Sequence, residues 1–208
     1  METIILASAS PRRQEYFRLL GLPFSIVPAD IDENSPKNFG VPKNFGVPEN
    51  PLAPLDLASN LAIKKVQKVM EIMKNDPPNW ICGADTIITL DNVIFSKPAN
   101  KNDARQMLTR LSGKTHKAIT AAALYNGRKK NIDCRQASCD VSFAPLSQAE
   151  IEWYLDTNEW QGVAGGYRLQ GIAACFISSI NGCPSTVVGL PLRDFYVMLR
   201  DNGYPYGS

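Results

Sequence analysis

The residue types best able to bind an anion occur together near the start of the chain. The segment Ser8-Ala-Ser-Pro-Arg-Arg13 follows a short apolar run and opens a helical pattern. Backbone N–H groups, two hydroxyls and two guanidinium groups would therefore meet at a helix N-terminus, which attracts anions. A guanidinium group can also donate two parallel hydrogen bonds to the oxygens of a phosphate. A capped helix with two solvated arginines is the structural alternative, and the spacing alone favours neither.

Carboxylates form two further segments. Asp30-Ile-Asp-Glu33 ends a predicted strand and would suit a hard cation, although a solvated acidic loop is the simpler explanation of that segment taken alone. Asp85 stands inside the apolar run Trp80 to Leu90, where burying a charge is costly unless a metal or a cation compensates it. A carboxylate held in this way is a candidate general base. A structural ion pair is the competing interpretation, with Lys97 and Lys114 near the ends of predicted strands.

The elements that must position these residues predict an α/β fold, with a mixed sheet and helices on its faces. The predicted strands are 3–7, 24–27, 80–90 with an interruption at Asp85, 93–95 after a turn at Asp91-Asn92, 117–125 and 130–143. The predicted helices are 14–20, 55–74, 103–111 capped by Asn102, 147–155 opened by the capping box Ser147-Gln-Ala-Glu150, and 191–202.

Residues 34–54 are rich in Pro, Asn and Gly and contain a direct repeat, Lys37-Asn-Phe-Gly-Val-Pro42 followed by Lys43-Asn-Phe-Gly-Val-Pro48. One duplicated hexapeptide is too short for a repeat architecture, so it predicts an extended surface loop within a single domain over residues 1–208. Deleting residues 43–48 is expected to change activity and stability little, because closure entropy varies slowly with loop length. A partner-binding strip using Phe39 and Phe45 is the less favoured alternative.

Composition argues against several classes of protein. The chain has 208 residues and a net charge of +2, which gives no global attraction to nucleic acid or to an anionic membrane. No apolar run approaches the roughly 20 residues of a membrane helix, and the first residues lack the pattern of a secretory signal. The single histidine, His116, argues against a His-rich metal site or a Ser-His-Asp triad. Five scattered cysteines without a C-x-x-C pair suggest a reducing cytoplasm.

Taken together, these segments resemble the Maf family of nucleoside triphosphate pyrophosphatases, also called septum-formation inhibitors. The matching pieces follow the family's order over almost the whole chain. They are Ile5-Leu-Ala-Ser-Ala-Ser-Pro-Arg-Arg13, Asp32-Glu33, Leu61-Ala-Ile-Lys-Lys65, Gly83-Ala-Asp-Thr86, Lys97-Pro98, Leu111-Ser-Gly-Lys-Thr-His116 and Ala164-Gly-Gly-Tyr-Arg-Leu-Gln-Gly171. The set is specific, although none of the pieces would be specific alone.

The resemblance implies a Maf/Ham1 (ITPase-like) fold, with a mixed central sheet flanked by helices and two lobes around a cleft. It also implies hydrolysis of a nucleoside triphosphate to the monophosphate and pyrophosphate with Mg²⁺ or Mn²⁺. The family's proton acceptor falls on Asp85, with Glu33 and Asp85 as metal ligands. The implied phosphate- and metal-site residues are Ser8, Ser10, Arg13, Glu33, Lys65 and Lys97. The dTTP/UTP subgroup is indicated by Arg12, Thr86 and Gln170 at its specificity positions.

The chain departs from the family pattern at Val163, where the family usually has a lysine. Arg168 is the candidate replacement for that cation. A nucleotide-binding regulator of cell division without turnover, and a pyrophosphatase for modified nucleotides, remain open as alternatives. The expected partner is the nucleotide, with no nucleic acid and no membrane, and the resemblance is compatible with a homodimer.

Overall fold

The secondary structure follows the α/β pattern over the whole part of the chain that the computed structural model describes, residues 1–31 and 53–206. Glu33 and the repeat at residues 37–48 lie outside these ranges. The strands are β1 (Ile4–Leu6), β2 (Phe24–Ile26), β3 (Trp80–Leu90), β4 (Val93–Phe95), β5 (Thr115–Asn126), β6 (Asn131–Phe143) and β7 (Ile177–Asn181). The helices are α1 (Pro11–Leu19), α2 (Pro54–Ile72), α3 (Lys101–Leu111), α4 (Gln148–Asp156), α5 (Pro184–Val188) and α6 (Leu192–Asn202). Short 3₁₀ helices cover Ala164–Gly166 and Ile172–Phe176.

The strands form one mixed sheet in the order β2-β1-β3-β5-β6-β7, with β4 paired to β3. β1 runs parallel to both β2 and β3, whereas the other pairs are antiparallel. The fold is therefore the mixed sheet with flanking helices that the sequence predicts. No helix within the described ranges is long and apolar enough to cross a membrane.

One edge of β3 has a gap in its pairing. β1 pairs with β3 only as far as Cys82, and β4 begins to pair at Ile88. Between these residues, β3 pairs only with β5 on its other side among the strands described. The gap leaves room beside residues 83–87 of β3, and Asp85 and Thr86 lie within it.

Three buried clusters surround the long strands. Successive side chains of β1, β3 and β5 point to opposite faces of the sheet. On one face they form a cluster with Phe17 of α1 and Phe195 of α6. On the other face they form a second cluster with Leu61 and Val66 of α2. The third cluster lies at the other end of the strands, between α3, α4 and the 3₁₀ helices. The gap in the sheet lies where the second and third clusters meet, since Ile87 belongs to one and Ile88 to the other.

Two predicted details are wrong. Asp85 does not interrupt β3, because its backbone pairs with Ala121 of β5 and its side chain has a cationic partner. Asn102 is not the cap of α3, because the side chain of Asn100 accepts a hydrogen bond from the backbone N–H of Asp103 and starts the helix two residues earlier. The capping box of α4 is confirmed, with both Ser147 and Glu150 bonds present.

Candidate active site

A cleft of about 670 Å³ opens at the gap in the sheet. It is lined by residues from distant parts of the sequence, which the fold brings to one place. The lining includes the predicted site residues Ser8, Ser10, Arg12, Arg13, Lys65, Asp85, Thr86, Lys97 and Gln170. The structure therefore brings together every predicted site residue that it describes.

The carboxylate of Asp85 is held by a lysine. Lys65 Nζ on α2 lies 2.7 Å from Asp85 Oδ1, and the two side chains are only 7% and 9% exposed. The same ammonium group donates to the backbone carbonyl of Ala84 at 3.4 Å. A buried carboxylate in an apolar strand is thus compensated by a buried cation, and the pair forms part of the cleft wall.

Gly83 explains how α2 comes close enough to β3 for this contact. A Cβ on Gly83 would lie 2.6 Å from the backbone oxygen of Ala62 and 3.3 Å from Cβ of Lys65. Since no real side chain tolerates the first distance, only glycine lets the helix lie this near to the strand. Gly83 lies two residues before Asp85 on β3. The glycine that lets α2 approach the strand is therefore close to the carboxylate that pairs with Lys65 of that helix.

Arg13 connects three walls of the cleft. Its guanidinium donates to Ser8 Oγ at 3.0 Å, to Thr86 Oγ1 at 3.3 Å and to the backbone oxygen of Gly189 at 2.8 Å. The residue is only 8% exposed. These contacts show Arg13 as an organiser of the site, and a direct contact with phosphate stays a prediction.

The hydroxyl of Ser8 is oriented by its two donors. Ser8 Oγ accepts from Arg13 and from the backbone N–H of Ser10 at 3.2 Å, so both of its lone pairs are used. Within residues 1–31 and 53–206 no oxygen accepts the hydrogen of this hydroxyl, and Ser8 lines the cleft. Ser10 is the N-cap of α1 but makes no capping side-chain bond. Both hydroxyls are thus placed to donate to a ligand.

Positive charge dominates the cleft. Within residues 1–31 and 53–206, its lining holds five cationic side chains against three carboxylates, namely Arg12, Arg13, Lys65, Lys97 and Arg168 against Glu15, Asp85 and Glu159. Burial, followed by repulsion from Arg13 and Arg168, lowers the pKa of Arg12 to about 10. Crowding of guanidinium groups is unfavourable without an anion, so the cleft is built for a negatively charged ligand.

The glycine-rich segment, residues 162–171, forms one side of the cleft. Val163 lines the cleft, although only 3% of the residue is exposed. Arg168 also lines it, but its guanidinium is anchored, because Nε donates to the backbone oxygen of Glu159 at 2.7 Å and Nη2 to that of Gln161 at 3.0 Å. Arg168 therefore brings charge to the cleft from a fixed position.

His116 lies outside the cleft lining, in an aromatic cluster with Phe143 and Tyr167. Its Nε2 is 2.7 Å from the hydroxyl of Tyr167, and burial lowers the pKa of His116 to about 4. The imidazole is therefore neutral near pH 7 and supports Tyr167, which does line the cleft. Lys114 and Asp30 are not among the lining residues.

Three residues that support the cleft wall from outside its lining were not predicted from the sequence. Thr120 of β5 lies directly opposite Thr86 of β3, and the two hydroxyl oxygens are 2.9 Å apart. Thr186, within α5, supplies a backbone oxygen to Thr120, and Gly189, which follows α5, supplies one to Arg13. No local pattern could have identified them, because each contact joins segments separated by at least 34 residues.

A divalent cation would find only part of its ligand set in the described residues. They contain no group of three or more His, Cys, Asp or Glu side chains suited to a metal. Asp85 nevertheless presents a hard carboxylate oxygen at the cleft, which is the donor type that Mg²⁺ and Mn²⁺ take. Mg²⁺ commonly completes its shell with substrate phosphates and water, so the donor chemistry fits an ion that arrives with a phosphorylated ligand.

Comparison with known proteins identifies the family of the chain. The family model described as "Maf-like protein" matches residues 3–202. A dTTP/UTP pyrophosphatase of Symbiobacterium thermophilum is 38% identical over 205 residues, covering 99% of this chain and 96% of its own. A dTTP/UTP pyrophosphatase of Desulforamulus reducens is 38% identical over 200 residues, 96% of each chain. One of Bacillus cereus is 35% identical over 192 residues, 92% of this chain and 91% of its own. The chain with this cationic cleft and its Lys65–Asp85 pair belongs to the Maf-like protein family.

Proposed function

We propose that this protein hydrolyses dTTP and UTP to the nucleoside monophosphate and pyrophosphate. The observation that carries the proposal is the cationic cleft with a buried carboxylate, Asp85, in its wall. The names of the relatives supply the substrate class and the bond that is cleaved.

The cleft has the charge and the donors that a triphosphate requires. A triphosphate carries several negative charges, and the described part of the lining holds two cations more than carboxylates. Ser8 offers a hydroxyl hydrogen beside the N-terminus of α1, where backbone N–H groups and the helix dipole also favour an anion. The size of the cleft, about 670 Å³, is in the range of small-molecule sites.

In the proposed reaction, Asp85 accepts a proton from water as the water oxygen forms a bond to the α-phosphorus. The bond from the α-phosphorus to the bridging oxygen breaks, and pyrophosphate leaves with that electron pair. Lys65 fixes the direction of the Asp85 carboxylate, because its ammonium group is bound to one oxygen. Arg12 and Lys97 are placed in the lining to balance the charge of the departing pyrophosphate.

We also propose a requirement for Mg²⁺ or Mn²⁺. Asp85, together with Glu33 as the resemblance implies, would hold the ion against phosphate oxygens. The ion would neutralise phosphate charge and polarise the bond that is cleaved.

The test is a panel of nucleoside triphosphates incubated with Mg²⁺, with Mn²⁺ and with a chelator, followed by separate assays for pyrophosphate and orthophosphate. In ¹⁸O-labelled water, the label should enter the monophosphate from dTTP and UTP. Label in orthophosphate, with a nucleoside diphosphate as product, would contradict attack at the α-phosphorus.

The second candidate function is nucleotide binding without turnover, as in a regulator of cell division. The observation in its favour is the apolar side chain of Val163 in the cleft wall. Tight binding of UTP without release of either phosphate product would support this candidate over the enzyme.

We further propose that the protein works in a reducing compartment, the cytoplasm. All five cysteines are free thiols, and burial raises the pKa of Cys82 to about 12, which makes that thiol unreactive. A homodimer and a link to septum formation stay predictions from the resemblance. Light scattering of the purified protein tests the first, and septum placement in cells lacking the protein tests the second.

A further inference from the structure

A chain of hydrogen bonds fixes the hydroxyl of Thr86. Thr120 Oγ1 lies 2.6 Å from the backbone oxygen of Thr186, and a carbonyl oxygen can only accept, so Thr120 donates its single hydrogen there. Thr120 Oγ1 is also 2.9 Å from Thr86 Oγ1. Because the hydrogen of Thr120 is already used, the hydrogen of Thr86 must point to Thr120.

The other side of the Thr86 hydroxyl is held by Arg13. Arg13 Nη2 donates to Thr86 Oγ1 at 3.3 Å, which occupies one of its two lone pairs. Thr86 lines the cleft and is partly exposed, whereas Thr120 is fully buried behind it. Toward a ligand, the hydroxyl of Thr86 therefore has one lone pair to offer and no hydrogen.

We propose that Thr120 is a positioning residue that makes Thr86 a hydrogen-bond acceptor, so that this wall of the cleft takes an N–H or O–H donor of the substrate. A phosphate oxygen has no hydrogen to give and would be repelled here. Ser8 has the opposite polarity, since both of its lone pairs are used and its hydrogen is directed outward. Arg13 donates to both Ser8 Oγ and Thr86 Oγ1. It therefore lies between a hydroxyl that can donate to phosphate and a hydroxyl that can accept from a donor of the substrate.

This inference rests on the proposed function for the identity of the donor. dTTP and UTP share two donors, the N3–H of the base and the 3′-hydroxyl of the sugar. Cytosine has a lone pair at N3, whereas 3′-deoxy-UTP lacks the hydroxyl. The pair UTP and CTP thus reports on the base, and the pair UTP and 3′-deoxy-UTP reports on the sugar.

The experiment measures binding of α,β-methylene analogues of these three nucleotides by calorimetry, which requires no turnover. In Thr120→Val, the isosteric side chain accepts no hydrogen bond, so the hydrogen of Thr86 turns toward the cleft. Preference for UTP over its non-donating analogue should fall by about tenfold, the upper range for one neutral hydrogen bond. Thr120→Ser retains the hydroxyl and should restore the preference.

Thr186→Val is the matched control. It is also a buried threonine-to-valine change, and it keeps the backbone oxygen that Thr120 uses, while Thr186 Oγ1 has no hydrogen-bond partner among the described residues. It should leave the preference unchanged. Thermal unfolding of all three variants shows whether each is folded at the temperature of the binding measurement.

Unchanged preferences for both nucleotide pairs in folded Thr120→Val would overturn the inference. A fall in the preference for UTP in Thr186→Val as large as that in Thr120→Val would also overturn the inference, because a general disturbance of packing would then explain the effect. Absence of pyrophosphate release by the wild-type protein, with normal binding preferences, would overturn the proposed function and leave the inference intact. If the wild-type protein binds none of the analogues, both are wrong.

Discussion

Lys65 Nζ on α2 and Asp85 Oδ1 on β3 lie 2.7 Å apart in the cleft wall, and the two residues are 20 positions apart in the sequence. Both side chains are more than nine-tenths buried. An ion pair in such a place holds its geometry well, because few solvent molecules compete with it. The arrangement fixes the orientation of a candidate base.

Asp85→Asn should lower turnover by at least about 100-fold, the usual scale for loss of a general base. An isolated buried carboxylate would predict higher stability on neutralisation, but Lys65 reverses the sign, because the variant leaves an uncompensated ammonium. We expect a loss of about 1–3 kcal/mol in the free energy of unfolding, since the amide oxygen can still accept from Lys65. Steady-state kinetics and urea denaturation measure the two effects.

Asp140→Asn is the control, because Asp140 pairs with Lys117 at 2.6 Å on the surface, where the two side chains are 33% and 56% exposed. It should change both measurements little. Near-normal turnover of Asp85→Asn would identify Asp85 as a structural residue only.

Gly83→Ala should separate α2 from β3. The new Cβ would meet the backbone oxygen of Ala62, so the helix must shift and carry Lys65 with it. We expect a stability loss of about 1–3 kcal/mol, as for other overpacked cores, and a fall in turnover at temperatures where the variant is fully folded. Wild-type kinetics in the folded variant would show that the Lys65–Asp85 distance is not critical.

Arg168 should matter through both its charge and its anchoring. Arg168→Ala removes a cation and the two bonds to the backbone oxygens of Glu159 and Gln161, so KM should rise and turnover should fall. Arg168→Lys keeps the charge but lacks the planar guanidinium that makes both bonds. Its KM and turnover should lie between those of the wild type and of Arg168→Ala. Arg193→Ala is the control, since Arg193 is exposed and its guanidinium lies over the ring of Tyr196.

Val163→Lys should raise turnover modestly if the cleft lacks a cation at that wall. The lysine stem can follow the apolar wall and place its ammonium group in the cleft. If Arg168 already fills this role, Val163→Lys changes little while Arg168→Ala costs much more. Should neither substitution alter pyrophosphate release, the segment 162–171 does not act on the phosphates.

His116 should make the protein sensitive to acid. The folded pKa is about 4 and the ordinary value is 6.5, so between these values the unfolded chain binds a proton that the folded chain excludes. Stability should therefore fall as the pH is lowered from 6.5 to 4, with His116 contributing about 3 kcal/mol of that loss. His116→Gln cannot titrate, and its urea midpoint should vary less between pH 7 and pH 4.5. An equal pH dependence in both proteins would contradict this assignment.

The sequence predicts the parts of the site that depend on local patterns. Strand, turn and helix chemistry indicate the anion-binding turn that contains Ser8 and the long strand with its unusual Asp85. The resemblance implies Lys65 as a phosphate- or metal-site residue, but Lys65 was not predicted as the partner of Asp85, because helix periodicity does not say which strand a lysine crosses. The roles of Thr120 and Gly189 required the sheet register and a contact over 176 residues, which no short pattern encodes.

The bond from Arg13 to Gly189 has a consequence for synthesis of the protein. The carbonyl oxygen that Arg13 requires is made 176 residues after Arg13 itself. Until then, its guanidinium has no place in the wall beside Thr86, and the two oxygens that it orients are not held. A nascent chain that has already formed its N-terminal strands therefore lacks an organised cleft. Catalytic competence should appear only after residue 189 has been made, and a product truncated before residue 189 should bind nucleotide poorly even if it is compact.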